Sequence, residues 1–154
     1  MSVIIQGSQL RAIGLGTRVE KSTGTLAATT VPLFTVAGGR VALTSIYGIV
    51  GTAVTVANSY KLQHNPTTGN TMDMVTATDI GTTDTPAGAV LSFTGSAGSI
   101  LGAGAAGGDQ AQSLNGSLVL QVGQIESVSA GTDGEITWVV TYIPLDDGAT
   151  LVAA

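Results

Sequence analysis

The sequence predicts an all-β fold, an antiparallel β-sandwich or jelly roll with an extended N-terminal arm. The first observation is composition, since the 154 residues include 22 Gly, 22 Thr and 16 Val but only two Lys and three Glu. Thr and Val fit the pleated surface of a strand, whereas Lys, Glu and Leu favour helices. The second observation is spacing, because seven to nine short strand-like segments are separated by turn residues, as in a sandwich or barrel.

The N-terminal segment, residues 1–30, differs from the rest of the chain in charge. It carries +2, whereas residues 31–154 carry −7, and the sum is the net charge of −5. The three basic residues of the segment are Arg11, Arg18 and Lys21. No period of two or 3.6 residues is sustained here, so we expect an extended arm rather than a domain. A disordered tail is the alternative, although Leu10 and Ile13 offer apolar surface that a partner would bury.

Residues 31–154 are predicted to form the β-sandwich, a jelly-roll-like domain. The runs Val31–Val36 and Val41–Tyr47 flank a Gly-Gly pair, which is a hairpin signal. Both faces of the second run are semi-apolar, as in a strand that is covered on both sides. The glycines that follow, Gly48 and Gly51, indicate a bulge or a bend rather than a chain reversal.

The C-terminal part of the chain begins with a low-complexity segment. Sixteen of the 23 residues from Gly95 to Ser117 are Gly, Ala or Ser, which predicts a long flexible loop. Asp133-Gly134 predicts a hairpin between Ile125–Ser129 and Glu135–Ile143. The last of these runs alternates most cleanly, so we expect it at the centre of the core. The residues on its apolar face are Ile136, Trp138, Val140 and Tyr142.

The residues offer little support for catalysis, and we expect no enzyme, cofactor or metal site. The chain has no cysteine, and its one histidine, His64, stands without a recognisable nucleophile motif. Gly102–Gly107 matches the dinucleotide-binding spacing, but it lacks the strand–turn–helix context. The acid pairs Asp133/Glu135 and Asp146/Asp147 are conceivable calcium ligands, yet acids at turns usually serve the turn. The net acidity argues against nucleic-acid binding, and no signal peptide or membrane span is expected.

Four ordered stretches carry a resemblance to a known family. They are Val31-Pro-Leu-Phe-Thr-Val-Ala-Gly-Gly39, Val41-Ala-Leu-Thr-Ser-Ile-Tyr-Gly48, Tyr60-Lys-Leu-Gln-His-Asn-Pro-Thr-Thr-Gly69 and Trp138-Val-Val-Thr-Tyr-Ile-Pro-Leu-Asp146. The series, within residues 31–148, resembles the head decoration or cement proteins that tailed bacteriophages encode beside the major capsid gene. These motifs are turns and strand starts, so they indicate a family more than an activity.

The resemblance implies a structural virion protein that decorates and stabilises an icosahedral phage capsid by clamping major capsid subunits. Its expected location is the capsid exterior after assembly in the host cytoplasm, as a homo-oligomer, either a dimer or a trimer. Charge asymmetry makes Arg11, Arg18 and Lys21 the hypothetical capsid contacts. The alternative is a virion-surface or tail-tip β-sandwich module that binds host carbohydrate or a receptor. Neither reading includes a nucleic-acid or membrane partner.

Overall fold

The computed structural model describes residues 6–93, 101–103 and 118–154, the middle stretch by its backbone alone. These residues form one helix and twelve strands, which are α1 (Gly7–Leu15), β1 (Thr17–Thr25), β2 (Thr30–Ala37), β3 (Val41–Thr52), β4 (Ser59–Pro66), β5 (Met72–Asp73), β6 (Thr78–Asp79), β7 (Val90–Phe93), β8 (Leu101–Ala103), β9 (Leu118–Leu120), β10 (Gly123–Val128), β11 (Glu135–Pro144) and β12 (Thr150–Ala153). No helix among them is long and apolar enough to cross a membrane.

The strands form two antiparallel sheets. The β11 sheet has the order β1-β11-β3-β7-β8, with β9 also paired to β3, and the β10 sheet has the order β12-β2-β10-β4-β5, with β6 also paired to β4. Their inward side chains form one buried apolar cluster. The predicted all-β antiparallel sandwich is therefore confirmed, while the jelly-roll subtype stays a prediction.

The core is centred on β11, as its alternating pattern predicted. Trp138 is fully buried, and β11 lies between β1 and β3. The Trp138 ring stacks on Tyr60 of the opposite sheet, with centroids 6.2 Å apart and planes within 5°. Trp138 Nε1 donates a hydrogen bond of 2.7 Å to Tyr60 Oη, which also accepts one of 2.8 Å from Ser127 Oγ. A polar link thus joins the sheets inside an apolar core, and burial raises the pKa of Tyr60.

The glycines of β3 have two different roles. Glu135 pairs with Thr52 and Ile136 pairs with Val50, which leaves Gly51 as the extra residue of a bulge. The bulge prediction is confirmed at this position. Gly48 stays in register and lies beneath the indole, where a Cβ atom would be 3.2 Å from the Trp138 ring. Its missing side chain makes room for the tryptophan.

Both predicted hairpins are wrong. β2 and β3 lie in different sheets, and so do β10 and β11. The turn residues are present, but they carry the chain from one sheet across to the other. Turn residues reverse the chain over a short distance, but they do not determine whether the two flanking strands pair with each other. Both strands at each turn have an apolar inward face, which suits pairing in one sheet as well as a crossing to the other sheet.

The extended arm over residues 1–30 also needs correction. Gly7–Leu15 is helical, and Thr17–Thr25 is the edge strand β1, paired to β11 from Thr17–Tyr142 to Ser22–Thr137. The sandwich therefore begins within the segment expected to precede it. β1 has no fully buried residue and carries charged side chains, a common feature of protected edge strands. Its alternation is consequently too weak to recognise in the sequence.

Candidate docking site at one end of the sandwich

The connections of the chain meet at the two ends of the sandwich, and one end combines exposed apolar side chains with clefts. Pro144 pairs with Val41 in the β11 sheet, and Gly123 pairs with both Val36 and Pro66 in the β10 sheet. We call this end the apolar end. It consists of α1, the β2–β3 turn, the β4–β5 turn with Met72, residues 119–123, and Ile143 with the β11–β12 turn.

The apolar end holds most of the exposed large apolar side chains of the described residues. Eleven such side chains are exposed, and eight of them belong to this end. The eight are Leu10, Ile13, Leu15, Met72, Val119, Val122, Ile143 and Leu145. Scattered apolar residues on a surface are ordinary, but a concentration of them indicates an interaction site.

The helix α1 has no buried residue. Leu10 and Ile13, one turn apart, are 58% and 74% exposed. The end of the helix is tied to the sandwich, where Thr44 Oγ1 donates a bond of 2.7 Å to the Leu15 carbonyl. Gly16 follows with a positive φ of 95°, and a Cβ there would be 2.3 Å from the Tyr142 carbonyl oxygen. The chain thus directs the helix away from its own core.

A cleft and a small cavity open beside His64, between the β4–β5 turn and β9. Their volumes are about 210 and 70 Å³, and both are lined by His64, Met72 and Val119. His64 Nε2 donates to the Gln121 carbonyl at 3.1 Å. Burial lowers the pKa of His64, while this bond and the charge of Glu126 oppose the shift. The imidazole is therefore a neutral part of the cleft wall at pH 7.

A larger groove of about 470 Å³ opens on the outer face of the β10 sheet. Gln124 pairs with Thr35 on one side and Asn65 on the other, and these side chains point away from the core because their neighbour Ile125 is buried. Gly123 forms part of the floor, where a Cβ would be 2.4 Å from the Asn65 carbonyl oxygen. The remaining lining residues are Val36, Ala37, Pro66, Thr67 and Val122.

A buried carboxylate lies behind the polar wall of this groove. Glu126 is only 8% exposed. Its two oxygens accept bonds from Gln63 Nε2 at 2.6 Å and Asn65 Nδ2 at 3.0 Å. Asn65 Oδ1 in turn accepts from Thr71. All of these donors are neutral, and no Lys or Arg of the described chain pairs with Glu126.

The three sequence-predicted contact residues are not brought together as one patch. Arg11 is on α1, and it forms no ion pair within the described residues. Arg18 forms an exposed pair with Glu20 at 2.6 Å. Lys21 Nζ donates to the Ala154 carbonyl at 2.6 Å. Two of the three cations therefore have partners in their own chain, and the capsid contact of each stays a prediction.

The opposite end of the sandwich is closed by side-chain hydrogen bonds to the backbone. Asp79 accepts from the amides of Asn58, Gly81 and Thr82. Bonds from Thr82, including its hydroxyl, are the largest cause of a pKa well below the usual value for Asp79. Buried Asn58 accepts from the amides of residues 130 and 131. These carboxylate and amide oxygens stabilise turns.

Three of the four acids considered as calcium ligands also serve the fold. Asp133 accepts from the amide and hydroxyl of Thr55, and these bonds lower its pKa. Asp146 makes a bidentate pair with Arg40, with both distances 2.9 Å, and its pKa falls to about 2. Glu135 accepts from Ser22 at 2.5 Å. Among the residues with described positions, no three His, Asp or Glu side chains form a group that could hold a metal.

Of the exposed residues at the apolar end, the sequence singled out Leu10 and Ile13 as apolar surface for a partner, and these two are exposed. Met72, Val119 and Val122 were not identified, because only the convergence of distant connections makes them neighbours. The predicted loop Gly95–Ser117 lies outside the described residues except for β8. Most of the Gly102–Gly107 motif falls there too.

Comparison with known proteins gives no match of any kind: no family model, no curated protein and no solved structure is significantly similar to this chain. The geometry and the residues therefore carry the functional argument alone.

Proposed function

We propose that this chain is a structural virion protein that decorates and stabilises an icosahedral phage capsid by clamping major capsid subunits, with the apolar end toward the shell. The observation that carries the proposal is the apolar end, where an unpacked helix, clefts and eight exposed apolar side chains occur together. The sequence resemblance suggests the capsid as the partner, and the exposed apolar side chains suggest which surface contacts it.

Such a role is physically reasonable because capsid binding would bury the apolar end. Apolar surface removed from water stabilises a contact by about 25 cal/mol per Å² of buried area. A single copy need not bind tightly, because many copies on one shell act together. The opposite end, where turn amides are bonded to Asp79 and Asn58 of the same chain, would remain in solvent.

Cosedimentation with empty expanded phage capsids tests this function. Val119 at the apolar end and Val56 at the opposite end are 54% and 48% exposed, so they form a matched pair. We expect Val119→Asp to weaken capsid binding about tenfold or more, since a charge would be desolvated in the contact. Val56→Asp should bind within about twofold of wild type.

Two results would overturn the proposal. One is equal loss of capsid binding in both variants. The other is wild-type protein that does not cosediment with capsids of any expansion state. If that protein binds a glycan array instead, the result would support the alternative, a carbohydrate- or receptor-binding module.

A further inference from the structure

We propose that His64, Met72 and Met74 form a binding site for a soft monovalent metal ion, Cu(I), for which Ag(I) is a redox-stable probe. The ligands are the two thioether sulfurs and the imidazole Nδ1 atom. All three side chains line the cavity of about 70 Å³ between the β4–β5 pair and β9. This inference does not rest on the capsid role, because it concerns the chemistry of one cavity within a single chain.

The first step is the strand pairing that brings the three side chains together. β4 and β5 are antiparallel, and His64 pairs directly with Met72. Directly opposed residues lie on the same face of a sheet, with Cβ atoms about 4.5–5.5 Å apart. Two residues further on, the Met74 amide donates a bond of 2.9 Å to the Leu62 carbonyl of β4. The backbone pairing therefore holds both methionines against β4, beside the imidazole.

The second step is the state of the imidazole. His64 Nε2 is 3.1 Å from the Gln121 carbonyl oxygen, and a carbonyl only accepts, so Nε2 carries the proton. The lone pair of the neutral ring is then on Nδ1, which forms no hydrogen bond within the described part of the chain. Burial lowers the pKa of His64, which favours the neutral form that metals require. Histidine ligands typically donate their second ring nitrogen to a carbonyl or carboxylate in this way.

The third step is the placement of the two thioethers. Met74 is 3% exposed, so its side chain is held in the wall of the cavity, whereas Met72 is 66% exposed at the rim. A methionine side chain has three rotatable bonds and adapts readily to its surroundings. The arrangement thus has two fixed ligands, His64 and Met74, and one flexible ligand that closes over the ion.

The fourth step is the choice of metal. Thioether sulfur is a soft ligand that selects Cu(I), whereas Ca²⁺ and Mg²⁺ take oxygen ligands. Structural zinc sites use thiolates and several imidazoles, but this chain has no cysteine and a single histidine. The group that we propose contains no carboxylate and only one imidazole, so a search for histidine and acid clusters does not find it.

The surroundings of the cavity suit a monovalent cation. The charge of Glu126 acts on the imidazole, so the local potential favours a positive ion. Asp73 also lines the cavity, but its carboxylate pairs with Lys61 at 2.6 Å. The remaining lining is the apolar strand Leu118–Leu120, which shields the ion from water. A neutral set of soft ligands in an apolar wall therefore favours Cu(I) over a divalent ion.

Methionine methyl NMR on the full chain tests the ligand set directly. The sequence has only three methionines, Met1, Met72 and Met74, so ¹³C labelling of their ε-methyl groups gives three signals. Single Met→Leu variants assign them. One equivalent of Ag(I) should shift the signals of Met72 and Met74 and leave that of Met1 unchanged. No shift at one of the two proposed ligands, or an equal shift at Met1, would overturn the proposal.

Competition with the chromogenic chelator bicinchoninate, under anaerobic reducing conditions, measures the affinity for Cu(I). Wild type should bind one ion per chain. Met74→Leu, which conserves volume, should weaken binding about tenfold or more. His64→Gln should do the same, because glutamine keeps a donor for Gln121 but lacks the second ring nitrogen.

The matched control is Met1→Leu, the same chemical change at the third methionine, in protein with an N-terminal tag that lacks histidine and cysteine. It should bind Cu(I) as wild type does. Unchanged binding in Met74→Leu, or equal weakening by Met1→Leu, would contradict the proposal, whatever the result with capsids.

Discussion

At the scale of the residue, the buried polar link between the sheets is the most informative contact. Trp138 could be placed in the core from the alternation of its strand, and the structure confirms it. Its partner Tyr60 could not be identified, because the two residues are 78 positions apart. A sequence pattern indicates that a side chain is inward but not which distant side chain it meets.

Replacement of Tyr60 by phenylalanine should destabilise the protein by about 1–3 kcal/mol. The change keeps the ring stack but removes the oxygen that accepts from Trp138 Nε1 and Ser127 Oγ, and a buried donor without a partner costs about that much. Denaturant unfolding monitored by tryptophan fluorescence measures the change. Tyr47→Phe, at a partly exposed residue, should remain within about 0.5 kcal/mol of wild type. An unchanged free energy of unfolding in Tyr60→Phe would show that the hydrogen-bonded link does not stabilise the fold.

At the scale of the element, the strands were predicted well where both the pattern and the burial are regular. The span of β11 and the bulge at Gly51 follow from alternation and from a glycine within it. The pairing partners in both predicted hairpins were wrong, since an inward apolar face suits a hairpin as well as a crossing between sheets. α1 and β1 were missed because neither buries a periodic face.

Deletion of residues 2–15 should leave the sandwich folded. α1 contributes no buried side chain, so the melting temperature should fall by no more than about 3 °C. Deletion of residues 2–25 also removes β1 and uncovers one edge of the central strand β11, and it should cause a much larger fall. Thermal unfolding by circular dichroism compares the two. A large fall on the shorter deletion would show that the helix packs on its own chain.

At the scale of the whole molecule, the proposed function depends on a difference between the two ends of the sandwich. At one end, turn amides are bonded to side chains of the same end, and the other end presents an unpacked helix, clefts and exposed apolar side chains. The sequence alone does not predict where the apolar end lies. That position arises from turns far apart in the chain, so only the folded structure places them together.

Hydrogen–deuterium exchange of the full chain, free and bound to empty expanded capsids, tests the docking role of the apolar end most directly. We predict slower exchange on binding for the amides of α1 and of residues 119–123, because contact excludes water from backbone that is exposed in the free protein. Amides of the closed end, around Asn58, Asp79 and Asp133, should be unchanged. Protection confined to that closed end, or no change at the apolar end in bound protein, would contradict the account.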